Sequence, residues 1–127
     1  MCELGYETTK SEMQLRMERI AADERYRTFV AVRDGKLCGM VGTLTYSSYV
    51  HNDPAGRILA LVILRTMRRH GIGRALIATA EKDFAQRGIR RIVLDTRLAR
   101  QDAHKFYTSL GYERNGWRFV KRLSVRD

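Results

Sequence analysis

Apolar positions change their spacing several times along the chain, and each change predicts an element. Met13, Met17 and Ile20 recur at helical spacing behind Ser11-Glu12-Met13-Gln14, where a hydroxyl N-cap is answered by Gln three residues later. A helix over about residues 11–25 is expected. Thr28-Phe29-Val30-Ala31-Val32 predicts a strand, Asp34-Gly35 a hairpin turn, and residues 37–46 the return strand. Within it, Gly39 and Gly42 mark sites for a bulge or a close backbone approach. Residues 47–57 make a polar loop holding the only proline, Pro54. The unbroken apolar run 58–64 then reads as a strand buried on both faces.

After that strand the spacing turns helical again. Leu76, Ile77, Ala80 and Phe84 share one face of a segment over residues 75–87, and Gly88 is placed to end it. Residues 89–94 form a short apolar strand ending at Asp95. Residues 101–110 read as a helix stopped by Gly111, and residues 112–123, turning at Asn115-Gly116, as a terminal hairpin. The order is helix, three strands, helix, strand, helix, two strands. It predicts an α/β (α+β layered) fold: a mixed, mostly antiparallel twisted sheet with flanking helices.

Composition narrows the class. A chain of 127 residues, 44% hydrophobic, suits one folded domain over residues 1–127. No apolar segment approaches a membrane span, and the first residues lack the charged start and apolar stretch of a signal peptide. Cys2 and Cys38 fit neither a metal spacing nor a disulfide framework, so no metal is expected and a cytoplasmic location is. The net charge of +10 sits on one side of the sequence: residues 1–50 hold seven acids and seven bases, residues 51–127 seven acids and seventeen bases. That asymmetry predicts an anionic partner, met by a polyphosphate cofactor or by a nucleic acid.

The candidate chemistry starts between the 58–64 strand and the following helix. Arg68-Arg69-His70-Gly71-Ile72-Gly73-Arg74 is a glycine turn opening a helix. Gly71 and Gly73 allow a tight turn, and the helix N-terminus offers N–H groups and a positive dipole end to a phosphate. The pattern R-x-x-G-x-G over residues 68–73 is neither a P-loop nor a dinucleotide-binding fingerprint. A second pattern follows in Ala103-His104-Lys105-Phe106-Tyr107-Thr108-Ser109-Leu110-Gly111-Tyr112.

Together the two patterns resemble those of the GCN5-related N-acetyltransferases, the GNAT superfamily: its pyrophosphate-binding R-x-x-G-x-G and its A-x-x-[FL]-Y-x-x-x-G-[FY] segment. The resemblance runs from about Gly5 to the C-terminus. It implies acetyl-CoA as co-substrate and transfer of an acetyl group to a primary amine of a small molecule or protein by direct attack. Leu61, Val62 and Ile63 match the strand that pairs with the pantetheine arm, and Arg68, Arg69, His70, Gly71, Ile72, Gly73 and Arg74 the pyrophosphate loop. Tyr107 matches the tyrosine that protonates the departing CoA thiolate, as a phenol held within hydrogen-bond reach can.

Three positions depart from the family pattern. Leu59 stands where many members carry a glutamate early in the central strand, so the base is sought elsewhere. Asp95 matches a strand-end position where some relatives carry a glutamate base; His51, Asp53 and His104 are the alternatives. Arg100 replaces an asparagine that contacts the cofactor arm, and an arginine there can reach a phosphate or an anionic substrate. The chain also starts almost where the family's first strand and helix have already passed. A truncated start, or a second subunit of a homodimer covering the open sheet edge, is the expectation. Two other classes compete: a catalytically weak acyl-CoA-binding protein, and a basic nucleic-acid-binding module, disfavoured because no RNA-binding signature accompanies the charge.

Overall fold

The computed structural model describes residues 10–47, 49, 52–68, 70–95, 101–116 and 119–123, with the side chains of Lys10, Ser11, Met13, Gln101 and Asp102 left aside. The chain forms two compact units, residues 1–94 and 95–127.

The first unit opens with helix α1, Lys10–Ala21. It starts one residue before Ser11, which therefore lies inside the first turn and not at the N-cap. It also ends four residues short of the expected Arg25. The Asp23 carboxylate accepts the backbone N–H of Arg25 (3.0 Å) and its guanidinium (2.7 Å), and this local turn competes with helical pairing. Of the expected apolar face, Ile20 is half-buried while Met17 stays exposed.

Strands β1, Tyr26–Arg33, and β2, Lys36–Tyr46, form the hairpin. Asp34 and Gly35 both adopt positive φ (53° and 76°), as a two-residue turn that follows strand twist requires. Strand β3, Ala55–Ile63, lies antiparallel to β2, and β4, Ile92–Leu94, lies parallel to β3, giving the sheet order β1-β2-β3-β4. Mixed and mostly antiparallel is what the pattern predicted. Strand β4 is only half as long as expected, because Ile89 is spent on a helix cap described below.

Both flagged glycines of β2 stand beside register shifts. Ala31 faces Gly39 and Val32 faces Leu37, which leaves Cys38 as an extra residue. Gly42 faces Ala60 and Thr43 faces Ile58, which leaves Leu59 extra in β3. Gly39 also allows a close approach, since a Cβ there would lie 2.7 Å from the Val62 carbonyl oxygen. The second bulge corrects one expectation: β3 is not buried on both faces, and Leu59 is 46% exposed.

Helix α2, Ile72–Gln86, covers one face of the sheet. Leu76, Ile77, Ala80 and Phe84 point inward and form the core with Val41, Ala55, Ile58 and Ile89. The Phe84 ring lies against Gly56, where any Cβ would sit 2.7 Å from Cε1. Thr43, buried among them, donates its hydroxyl to the Arg27 carbonyl (3.1 Å), which removes the cost of burying an unpaired polar group. At the far end of α2, Asp83 binds Arg27 of β1 and Arg87, and Arg87 donates to Thr45 of β2 (3.3 Å). This fixes the end of the helix to the sheet.

The second unit contains helix α3, Gln101–Ser109. Its predicted terminal hairpin is not formed: the described residues of 112–123 lie in no strand. Phe119, Val120 and Leu123 are 93%, 74% and 78% exposed, so pairing there would be supported by no apolar burial, and an isolated two-stranded ribbon is marginal.

Candidate functional site

Two features of the first unit follow one another without a break. The first is a strand edge. Leu64 donates its N–H to the Cys38 carbonyl (2.9 Å), so Val62, two residues earlier, faces β2 as well. Alternation turns the N–H and C=O groups of Leu61 and Ile63 to the opposite edge. On that edge β4 pairs with β3 only from Gly56 to Ile58. Among the described residues no strand pairs with this edge of β3 beyond that point. The change coincides with the bulge at Leu59, which shifts the phase of the strand where its second partner ends. The family resemblance implies a backbone rail at residues 61–63 without revealing this. Only the glycine in the facing strand, Gly42, hinted at the bulge.

The second feature is the start of α2. A single 3-10 turn, Arg65–Met67, leads from β3, with the Met67 N–H on the Leu64 carbonyl (2.8 Å). Arg68 is extended, and Gly71 takes the left-handed conformation (φ 77°, ψ 8°) as the helix N-cap. Its carbonyl accepts the first helical bond from Ala75 (3.1 Å). Ile72, Gly73 and Arg74 are the first three helical residues, and their N–H groups have no partner within a helix by its geometry. The N-cap residue, Gly71, has no side chain to cap them, and no acid stands in the first turn. The first turn therefore keeps its positive dipole end, with Arg68, His70 and Arg74 exposed around it. Arg69 lies outside the described residues.

The remaining candidates belong to the second unit. Asp95 is exposed at its first residue, directly after β4. Tyr107 sits in the last turn of α3, half-buried, with His104 half-buried one turn earlier. The Tyr107 ring meets Phe106 edge-on (centroids 5.1 Å, planes at 68°) and Tyr112 likewise (5.8 Å, 74°). The helix closes on Gly111 (φ 93°): its N–H bonds the Thr108 carbonyl (3.1 Å) and the Tyr112 N–H bonds the Tyr107 carbonyl (3.1 Å). These are the two bonds of a Schellman cap. They explain the spacing Y-x-x-x-G-Y, which places the two tyrosines against each other. Asp53 is exposed in the loop before β3, whereas His51 and Arg100 lie outside the described residues. Among the described residues no cluster of three or more His, Cys, Asp or Glu could hold a metal. Among them, too, no helix is long and apolar enough to cross a membrane.

Comparison with known proteins places this arrangement. Residues 2–112 match the sequence model of the Acetyltransferase (GNAT) family. The aminoalkylphosphonate N-acetyltransferase of Salmonella typhimurium is 37% identical over 94 residues, 74% of this chain and 61% of that protein. Human N-acetyltransferase 8 is 29% identical over 72% of this chain and 40% of its own length. The matched part of the chain thus spans less than two thirds of each of these relatives. A GNAT acetyltransferase structure from Staphylococcus aureus superposes with a TM-score of 0.80 at 27% identity, covering 94% of this chain and 82% of that one. The aminoglycoside acetyltransferase AAC(6')-Iy, solved with a CoA bisubstrate analogue, shares the fold at a TM-score of 0.85 and 20% identity, over 98% and 86% of the two chains. An open strand edge running into a glycine-turned helix start therefore has its context, and the chain belongs to the GNAT family of acetyltransferases.

Proposed function

We propose that this chain transfers an acetyl group from acetyl-CoA to a primary amine. The observation that carries the reading is the continuity of the Leu61 and Ile63 edge, which no strand pairs among the described residues, with the glycine-started first turn of α2. A pantetheine arm carries amide groups that need a backbone partner, and a pyrophosphate needs N–H donors; the two features offer these in that order. Gly71, Ile72, Gly73 and Arg74 supply the amides, and Arg68, Arg69, His70 and Arg100 are the cationic side chains assigned to the phosphates. The thioester is the acyl donor.

In this reading the amine nitrogen attacks the thioester carbonyl, the C–S bond breaks, and Tyr107 gives its phenolic proton to the departing sulfur. The amine must lose a proton before attack, and Asp95 accepts it, because Leu59 brings no carboxylate to the central strand. The acceptor class follows from charge. The excess of basic residues beyond residue 50 and the single acid, Asp53, in the loop before β3 suit an amine that also bears an anionic group. The similarity to an enzyme named for aminoalkylphosphonates supports the same class over polycationic aminoglycosides. A second copy of the chain at the outer edge of β1 belongs to the same proposal, and sedimentation of the purified protein tests it.

Acetyl-CoA is expected to raise the melting temperature by an amount that grows with its concentration. No shift at millimolar acetyl-CoA would remove both the enzyme and the acyl-CoA-binding readings. Thiol release should then be faster with 2-aminoethylphosphonate than with an aminoglycoside at equal concentration. Tyr107→Phe should lower kcat by about 100-fold, the lower end of what a general acid contributes, with little change in acetyl-CoA affinity. Binding without turnover across amines would leave an acyl-CoA-binding protein.

A further inference from the structure

We infer that Tyr112 is a positioning residue that sets the direction of the Tyr107 phenol; the inference rests on the reading of Tyr107 as the proton donor. Tyr107 and Tyr112 are joined twice. The Tyr112 N–H bonds the Tyr107 carbonyl (3.1 Å), and the two rings meet edge-to-face at 5.8 Å. The left-handed Gly111 between them folds the chain back so that both contacts form at once. The Tyr107 ring also meets Phe106, at 5.1 Å. A tyrosine near a helix C-terminus, half-buried as this one is, keeps rotamer freedom unless neighbours remove it. Two edge contacts do so, one from the neighbouring Phe106 within the helix and one from Tyr112 outside it. The phenol is thereby held in one direction before substrate arrives, and a proton donor gains rate from that holding without gaining binding affinity.

Two readouts on the full chain test this. With isotope-labelled tyrosine, the Hα–Hβ couplings of Tyr107 should report one χ1 rotamer in the wild type and in Tyr112→Phe, and averaged rotamers in Tyr112→Leu. Leucine keeps an apolar residue in the cap, so the helix end survives while the ring edge is lost. Unchanged couplings in Tyr112→Leu would overturn the proposal. In thiol-release kinetics with acetyl-CoA and 2-aminoethylphosphonate, Tyr112→Leu should lower kcat about 10-fold, well inside the cost of a misplaced catalytic group, with KM for acetyl-CoA unchanged and Tyr112→Phe restoring the rate. The same substitution made on a Tyr107→Phe background should have no further effect. An equal loss on both backgrounds would overturn the positioning role and leave Tyr107 as the donor. A Tyr107→Phe variant with wild-type kcat, or no thiol release at all, would overturn both.

Discussion

Helices α2 and α3 end with the same backbone device and use it for different ends. Gly88 (φ 78°) and Gly111 (φ 93°) each turn the chain out of a helix. In each case the residue after the glycine bonds back five residues, Ile89 to the Phe84 carbonyl (2.9 Å) and Tyr112 to the Tyr107 carbonyl (3.1 Å). The cap thus presses together the side chains flanking it. At α2 that pair is Phe84 and Ile89, fully inside the core. At α3 it is two tyrosines, both half-buried. One geometry closes a core in the first case and holds a phenol at a partly open surface in the second. The side chains decide, and the glycine only supplies the turn.

The comparison would break first at its buried member. Phe84→Ala removes the ring that fills the space over Gly56 and should cost about 3–5 kcal/mol in urea unfolding. A loss under about 1 kcal/mol would mean that the cap contact, not the core, is what Phe84 serves. The glycines sharpen it at smaller cost. A Cβ at Gly88 or Gly111 meets nothing within 4 Å, so alanine at either is opposed by backbone strain alone, about 1–2 kcal/mol. The two variants should therefore be destabilised alike and differ in turnover. Gly111→Ala moves Tyr112 away from Tyr107 and should lower kcat, while Gly88→Ala should leave kcat unchanged. Equal kinetic losses would show that the α3 cap has no special connection to the reaction.

Both glycine stops were legible in the sequence because φ > 0 is a local demand that one residue type meets. The order of the first seven elements was legible for a similar reason: each carries its own periodicity or turn residues. The glycine turn and Tyr107 stood out through the resemblance their spacing carries. Other features depend on partners distant in sequence, and these were hidden. Leu59 sits in an apolar run that looks uniformly buried, and it is exposed because the facing strand slips by one residue beside Gly42. Among the described residues no strand pairs the edge at Leu61 and Ile63 because β4 stops at Leu94, which nothing in residues 58–64 encodes. The terminal hairpin failed the other way. Residues 112–123 have strand-like composition, yet Phe119, Val120 and Leu123 stay exposed.

Helix α1 provides the contrasting end, and with it the smallest expected effect. No glycine follows Ala21, and no residue between it and β1 takes a positive φ. The chain is turned instead by Asp23, whose carboxylate accepts the Arg25 guanidinium and backbone N–H. The side-chain bond to Arg25, then the backbone bond, lowers the Asp23 pKa from 3.8 to about 2. A carboxylate lowered on folding stabilises the folded state above its unfolded pKa, and that contribution is lost as pH falls toward the folded one. The α1 end should accordingly loosen between about pH 4 and pH 2, whereas at Gly88 and Gly111 the turn itself is set by backbone conformation and backbone hydrogen bonds. The pair is exposed and salt-screened, so the change is small and is best read locally. The Asp23 carboxyl carbon should titrate near pH 2 by NMR, with the Arg25 amide shift following it. Asp23→Asn, which keeps an oxygen acceptor for the backbone N–H, should abolish that response while α1 stays formed. An Asp23 midpoint near 3.8 would show that the carboxylate does not hold the turn, and the contrast between aspartate-closed and glycine-closed helix ends would lose its electrostatic half.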